Sequence, residues 1–145
     1  MGVQAANCEL CDASLGDVIV RTAQFRVILV DDASYPGFCR VIWNTHVREM
    51  TDLDASDRNV FMQAVWQVEA AVRQIMQPHK MNLASLGNMV PHLHWHIIPR
   101  YADDAHFPNP VWATARAEGP DEAGLAARRS LLPLLRQTII TSFQP

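Results

Sequence analysis

The spacing of hydrophobic residues changes twice along the chain. Residues 18–21 and 25–30 are rich in β-branched side chains and are separated by a short polar break, which predicts a hairpin. Residues 31–37 (Asp31-Asp32-Ala33-Ser34-Tyr35-Pro36-Gly37) are dense in turn formers and read as a loop. Residues 39–43 form a third apolar run. The period then lengthens. Phe61, Ala64, Val65, Val68, Val72 and Ile75 recur at spacings of three and four, as one face of a helix requires. Asp54 suits its N-cap, Ser56 and Asp57 its first turn, and Pro78 ends it. Period two returns over residues 81–86, a fourth strand, and again after a Gly87-Asn88 turn over residues 92–98. Residues 101–120 lack a period and carry Pro108, Pro110, Gly119 and Pro120. A loop this long suits a functional lid or a partner contact. Residues 121–141 predict a C-terminal helix with Leu125, Leu132, Leu135 and Ile139 on one side. Pro133 either kinks it or lies in the first turn of a new helix starting at Ser130.

Strands, a helix, more strands and a last helix make an α+β pattern built on an antiparallel sheet. The 145 residues, 49% of them hydrophobic, suffice for one domain with a buried core. Residues 1–7 read as a loose tail ahead of it. The net charge of −3 and the lack of a basic stripe argue against a nucleic-acid surface. No apolar run is long enough to span a membrane, so no membrane partner is expected. The N-terminus shows neither a signal peptide nor a myristoylation pattern. Three cysteines, two of them spaced as Cys8-x-x-Cys11, fit a reducing cytoplasm and metal or redox use rather than a disulfide framework. Cys39, on a predicted strand, reads as core. His79 and His106 are isolated and are assigned no role.

The densest chemistry lies in residues 92–100. Three of the six histidines, His92, His94 and His96, alternate there with Leu93, Trp95 and Ile97. On a strand, residues two apart sit roughly 6–7 Å apart on one face. Neighbouring imidazoles are then close enough to share an anionic group or a metal. Imidazole titrates near neutrality, so a row of them suits proton transfer, nucleophilic attack or metal ligation. The residues alone leave two enzymatic readings open. One is attack on a bound anion. The other is a metal-dependent hydrolase in which His92, His94 and His96 hold a catalytic ion.

The segment His92-Leu93-His94-Trp95-His96-Ile97-Ile98 resembles the signature of the histidine-triad (HIT) family of nucleotide hydrolases and transferases. The similarity extends upstream through Gly87-Asn88-Met89-Val90-Pro91 to the N-terminal cysteines, covering residues 8 to about 100. It implies a five-stranded antiparallel sheet with one long helix, to which the C-terminal helix is added, and pairing into a homodimer. It further implies that His94 attacks an α-phosphorus to form a nucleotidyl-histidine, while His96 donates to phosphate oxygens or to the leaving group. By the same resemblance Asn88 and Asn82 contact phosphate or the leaving group, and Asp31 accepts the ribose hydroxyls. Two positions depart from the commonest pattern: Phe38 stands where many members have His, and Met89 where many have Ser or Thr. Met89 is left with only its backbone N–H to offer a phosphate.

In zinc-binding relatives, two N-terminal cysteines join two histidines. This implies a structural zinc on Cys8, Cys11, His46 and His92. A redox dithiol or a merely buried cysteine pair are the rival readings of Cys8 and Cys11. The substrates implied are dinucleoside polyphosphates, nucleoside phosphoramidates and adenylated small molecules. A non-catalytic nucleotide-binding protein is the remaining alternative.

Overall fold

The computed structural model describes residues 4–145, so the first three residues of the expected tail lie outside the described residues. Five strands form one sheet: β1 (Asp17–Arg21), β2 (Phe25–Leu29), β3 (Cys39–Trp43), β4 (Lys80–Ala84) and β5 (His94–Arg100). Their spatial order is β1-β2-β3-β5-β4, and every neighbouring pair is antiparallel. The long helix α1 (Ala55–Met76) connects β3 to β4 and covers one face of the sheet, and α2 (Glu122–Arg129) and α3 (Leu132–Ser142) close the chain. This is the α+β architecture expected, and β3 coincides with the predicted run. Among the described residues no helix is long and apolar enough to cross a membrane.

The strand registers sort the side chains between the two faces. Val27 lies opposite Val41, which lies opposite Trp95, and Cys39 lies opposite Ile97. This row meets Phe61, Ala64, Val65, Val68 and Val72 of α1 in the main core. Trp43 and Phe61 are in ring contact there, with centroids 5.2 Å apart. The alternate row, Arg26–Ile42–His94 and Ile28–Arg40–His96, faces away from α1. The sheet thus has an apolar face under the helix and a face bearing arginines and histidines.

The ends of α1 follow the chemistry of its sequence. The Asp54 side chain accepts from the Asp57 N–H at 2.8 Å, capping the first turn. Gln77 adopts a left-handed backbone (φ 46°) just before Pro78. Met76 packs close to the loop before β3. A Cβ on Gly37, whose φ is +92°, would lie 2.9 Å from Met76 Cγ, so that loop position calls for glycine. At the C-terminus Pro133 sits in the first turn of α3, where its missing N–H costs nothing. The C-terminal segment is therefore two helices, the second of the alternatives above, with the break two residues beyond Arg129. Leu135 and Ile139 of α3 are fully buried against the core.

Candidate active site and metal centre

The loop of residues 85–93 sets the geometry before the histidine strand begins. Gly87 turns it at φ +91°. Ser85 Oγ donates to the His94 carbonyl at 2.9 Å. Leu93 is tied on both sides: its N–H donates to Val47 O at 2.8 Å, and its carbonyl accepts from Trp43 N at 3.1 Å. The His92 N–H turns back onto Val90 O at 2.8 Å. Strand β5 accordingly begins at His94. The expected unbroken row of three imidazoles is instead a pair, His94 and His96, with His92 in the turn ahead of them.

His94 is 7% exposed. Its Nδ1 lies 2.6 Å from the His92 carbonyl oxygen. A carbonyl only accepts, so Nδ1 carries the proton and Nε2 keeps a free lone pair. Burial, reinforced by the charge of Arg40, pushes its pKa below the ordinary imidazole value and keeps the ring neutral. The His96 ring lies 4.8 Å from that of His94, nearly perpendicular to it. Arg40 Nε donates to His96 Nδ1 at 3.3 Å. The proton of neutral His96 is therefore on Nε2, and burial, His94 and Arg40 bring its pKa down to about 4.

His94, His96 and Arg40 border a cleft of about 510 Å³. Its wall is the turn of residues 86–90, its opposite edge is formed by Glu9 and Leu10, and Trp112 closes it from the C-terminal loop. This volume is in the range typical of small-ligand sites. Of the four residues expected to touch substrate, Asn88 and Met89 line the cleft. The Met89 side chain is 93% exposed, so its contribution to packing is small. Asp31 is exposed just past the end of β2 and does not border the cleft. Asn82 does not border it either; its Oδ1 accepts from Arg100 Nη1 at 2.8 Å.

That contact belongs to a buried network that no local pattern in the chain announces. Arg100 (2% exposed) and Asp104 (0%) pair at 2.7 Å. Asp104 also accepts from the backbone N–H groups of Tyr101, His106 and Phe107, and from Tyr35 Oη at 3.2 Å. Burial opposes its ionisation, but Arg100 and the backbone donors hold the carboxyl well below the usual range. His106, assigned no role above, is half-buried, with Nδ1 2.6 Å from Tyr35 Oη. Arg100 Nη2 further donates to Asn109 O at 2.7 Å. The loop carrying Trp112 is thereby tied to the end of the histidine strand.

The second centre lies beside the first. Cys8, Cys11, His46 and His92 each offer one ligand atom, all within 4.8 Å of one another, and form a group able to hold a metal ion. The Nδ1 atoms of His46 and His92 are 3.2 Å apart. His92 Nδ1 is 3.4 Å from Cys8 Sγ and 3.5 Å from Cys11 Sγ, and His46 Nδ1 is 3.4 Å from Cys11 Sγ. Tetrahedral zinc at ordinary bond lengths spaces two nitrogens by about 3.3 Å and a nitrogen and sulfur by about 3.5 Å. The donors present fit that ion. His92 Nε2–H donates to Trp43 O at 2.5 Å, which fixes Nδ1 as the free ligand atom. Among the described residues His94 and His96 belong to no such group.

Two neutral imidazoles side by side on the face of a five-stranded antiparallel sheet turned away from α1, opening onto a cleft of small-ligand size, define the class of α+β proteins with a histidine-bearing strand. A family model, the HIT domain, matches residues 14–103, and the chain belongs to that family. A protein of Mycobacterium tuberculosis named AP-4-A phosphorylase is 30% identical over 81 residues, covering 50% of this chain. The match spans only 40% of that relative's length. A histidine triad protein from Bradyrhizobium japonicum has a similar structure, with a TM-score of 0.67 at 32% identity, over 85% of this chain and 91% of that one. A Zn-bound histidine triad family protein from Mycobacterium smegmatis shares the fold at a TM-score of 0.61 and 20% identity, with 93% and 94% covered.

Arg40, Glu9, Leu10 and Trp112 were not expected at the cleft. Arg40 did leave a sign in the sequence: a lone charge inside the apolar run of residues 39–43. Trp112 left none, because its place depends on the fold of an aperiodic loop.

Proposed function

We propose that this protein is a nucleotide hydrolase or nucleotidyl transferase that cleaves at an α-phosphate through a covalent intermediate on His94. The observation that carries this reading is the 2.6 Å contact between His94 Nδ1 and the His92 carbonyl. It leaves Nε2 as a free nucleophile in a ring already neutral, so no base is needed. In the first step Nε2 forms a bond to phosphorus, and the bond from phosphorus to the leaving group breaks with its electron pair. The charge developing on the ring is offset by the His92 carbonyl at Nδ1–H. In the second step water, or another acceptor, attacks phosphorus, loses a proton to solvent, and returns the electron pair to Nε2.

His96 Nε2–H, Asn88 and the Met89 backbone N–H serve as donors to the phosphate oxygens. Asp31 would reach the ribose only of a substrate that extends beyond the cleft lining, while Asn82 acts through Arg100. The AP-4-A phosphorylase relative supports a nucleotide substrate. The group Cys8, Cys11, His46 and His92 fits a structural zinc, and the Mycobacterium smegmatis family member is Zn-bound. Zinc would supply cross-linking of the N-terminal segment to the turn before β5. The reading includes a homodimer and a cytoplasmic location, the location in keeping with three cysteines outside any disulfide.

The test is His94→Ala, assayed with diadenosine tetraphosphate and with adenosine phosphoramidate. Loss of both activities by at least about a thousandfold is expected of a missing nucleophile. Retained turnover would refute the covalent route.

A further inference from the structure

Arg40 is a cation with no ion-pair partner among the described residues, its guanidinium 5.7 Å over the Phe38 ring. It lies in the middle of β3, half-buried, opposite His96 in register, and it borders the cleft. Its Nε donates to His96 Nδ1. That is its one side-chain hydrogen bond among the described residues; its two terminal nitrogens have no protein acceptor there. The ion pairs among the described residues involve Arg100, Arg128, Arg129 and Arg136, and neither Arg40 nor Arg26 takes part in any. The carboxylates whose charge reaches Arg40 are Glu9, on the cleft lining, and Asp32, and neither forms an ion pair with it among the described residues.

Arg26 adds to this field. It sits one strand over on the same face, 2% exposed. Its Nη2 donates to Leu10 O at 2.6 Å, and its Nε has no partner. A half-buried guanidinium with no ion-pair partner gains when an anion completes it. Guanidinium also presents paired donors matched to phosphate geometry.

The contact with His96 constrains the chemistry as well. With Nδ1 occupied by a permanently charged donor, His96 can give up its Nε2 proton only by becoming an imidazolate. It is therefore a hydrogen-bond donor and a poor proton donor. An amine leaving group must gain a proton as its bond to phosphorus breaks. A phosphate chain leaves as a stable anion with the bonding electron pair on oxygen and needs none.

We propose that Arg40 binds the leaving group and selects substrates in which it is anionic, a phosphate chain held by an anhydride bond rather than an amine held by a phosphoramidate bond. The proposal rests on the covalent reading above. Its test compares wild type, Arg40→Gln and Arg40→Lys on diadenosine tetraphosphate and adenosine phosphoramidate, which deliver the same adenylyl group. Wild type prefers the tetraphosphate in kcat/KM. Arg40→Gln loses at least about tenfold more on the tetraphosphate than on the phosphoramidate, as expected for a charge-assisted contact to the leaving group, the loss common to both reporting its contact with His96. Arg40→Lys keeps most of the preference. Equal losses on both substrates, or no loss on either, overturn the proposal. A second arm separates it from the covalent reading: calorimetric binding of inorganic tripolyphosphate to His94→Ala, with and without Arg40→Gln. At least about tenfold weaker binding in the double variant supports the role of Arg40 even if no substrate is turned over. Equal binding overturns it.

Discussion

The Nδ1 of His94 lies 2.6 Å from the backbone carbonyl of His92, while the His92 ring faces Cys8 and Cys11. One residue thus joins the candidate metal group through its side chain and orients the proposed nucleophile through its backbone. Disturbing the metal group should disturb His94 without touching it. Chelation, or Cys11→Ser, is expected to cost about 2–3 kcal/mol, which at this size lowers Tm by on the order of 10 °C. Thermal melting alongside metal analysis of the purified protein reads this. An unchanged Tm after metal is stripped would remove the structural role.

The Arg100–Asp104 pair should behave as a buried charge cluster. Asp104→Ala strands Arg100 in the interior and releases three backbone donors, a cost of about 3–5 kcal/mol. Asp104→Asn, which keeps an acceptor, should cost less. Urea unfolding measures both, and a cost below about 1 kcal/mol for the alanine variant would show that the loop is held by other means.

Stability should fall on the acid side through His96. Its folded pKa is about 4, below the ordinary imidazole value of 6.5, because of burial, the cost of a second positive ring beside His94, and the charge of Arg40. Between those two values the unfolded chain binds the proton and the folded one does not. The stabilisation is therefore intact above pH 6.5 and is lost as pH falls from 6.5 through 4. Urea midpoints across that window should decline in wild type and decline less in His96→Asn. Parallel slopes would mean that His96 is not the titrating group.

Trp112 is 59% exposed at the mouth of the cleft. Its ring is placed to pack against an aromatic or apolar part of a ligand. Trp112→Ala should weaken adenosine monophosphate binding by about three- to tenfold, the range for an aromatic pair. Nucleotide-dependent quenching of tryptophan fluorescence should vanish in the same variant. Quenching that survives would assign the signal to another tryptophan.

How much of this the sequence carried depended on whether local rules decided the outcome. The apolar stripe from Phe61 to Val72 and the Asp54 cap are local, and α1 formed where they predict it. Pro133 also acted locally, and the choice between kink and new helix followed from where its missing N–H is harmless. The histidine alternation located His94 and His96 but misplaced His92 on the strand. Gly87 and the two hydrogen bonds of Leu93 turn the backbone first, and periodicity does not register a turn of that kind. Cys8, Cys11, His46 and His92 came together as the family resemblance implied. Asp104 and Trp112 were illegible because their partners, Arg100 and the cleft, are set by tertiary contacts of an aperiodic loop. Arg40 stood in plain view, but only the register opposite His96 gives it a function.

The covalent intermediate is the central claim, and it can be caught directly. Wild-type protein mixed with diadenosine tetraphosphate and quenched without acid should gain the mass of one adenylyl group, mapped by peptide fragmentation to His94 and absent from His94→Ala. Substrate consumed with no adduct, or an adduct on any other residue, would contradict the account.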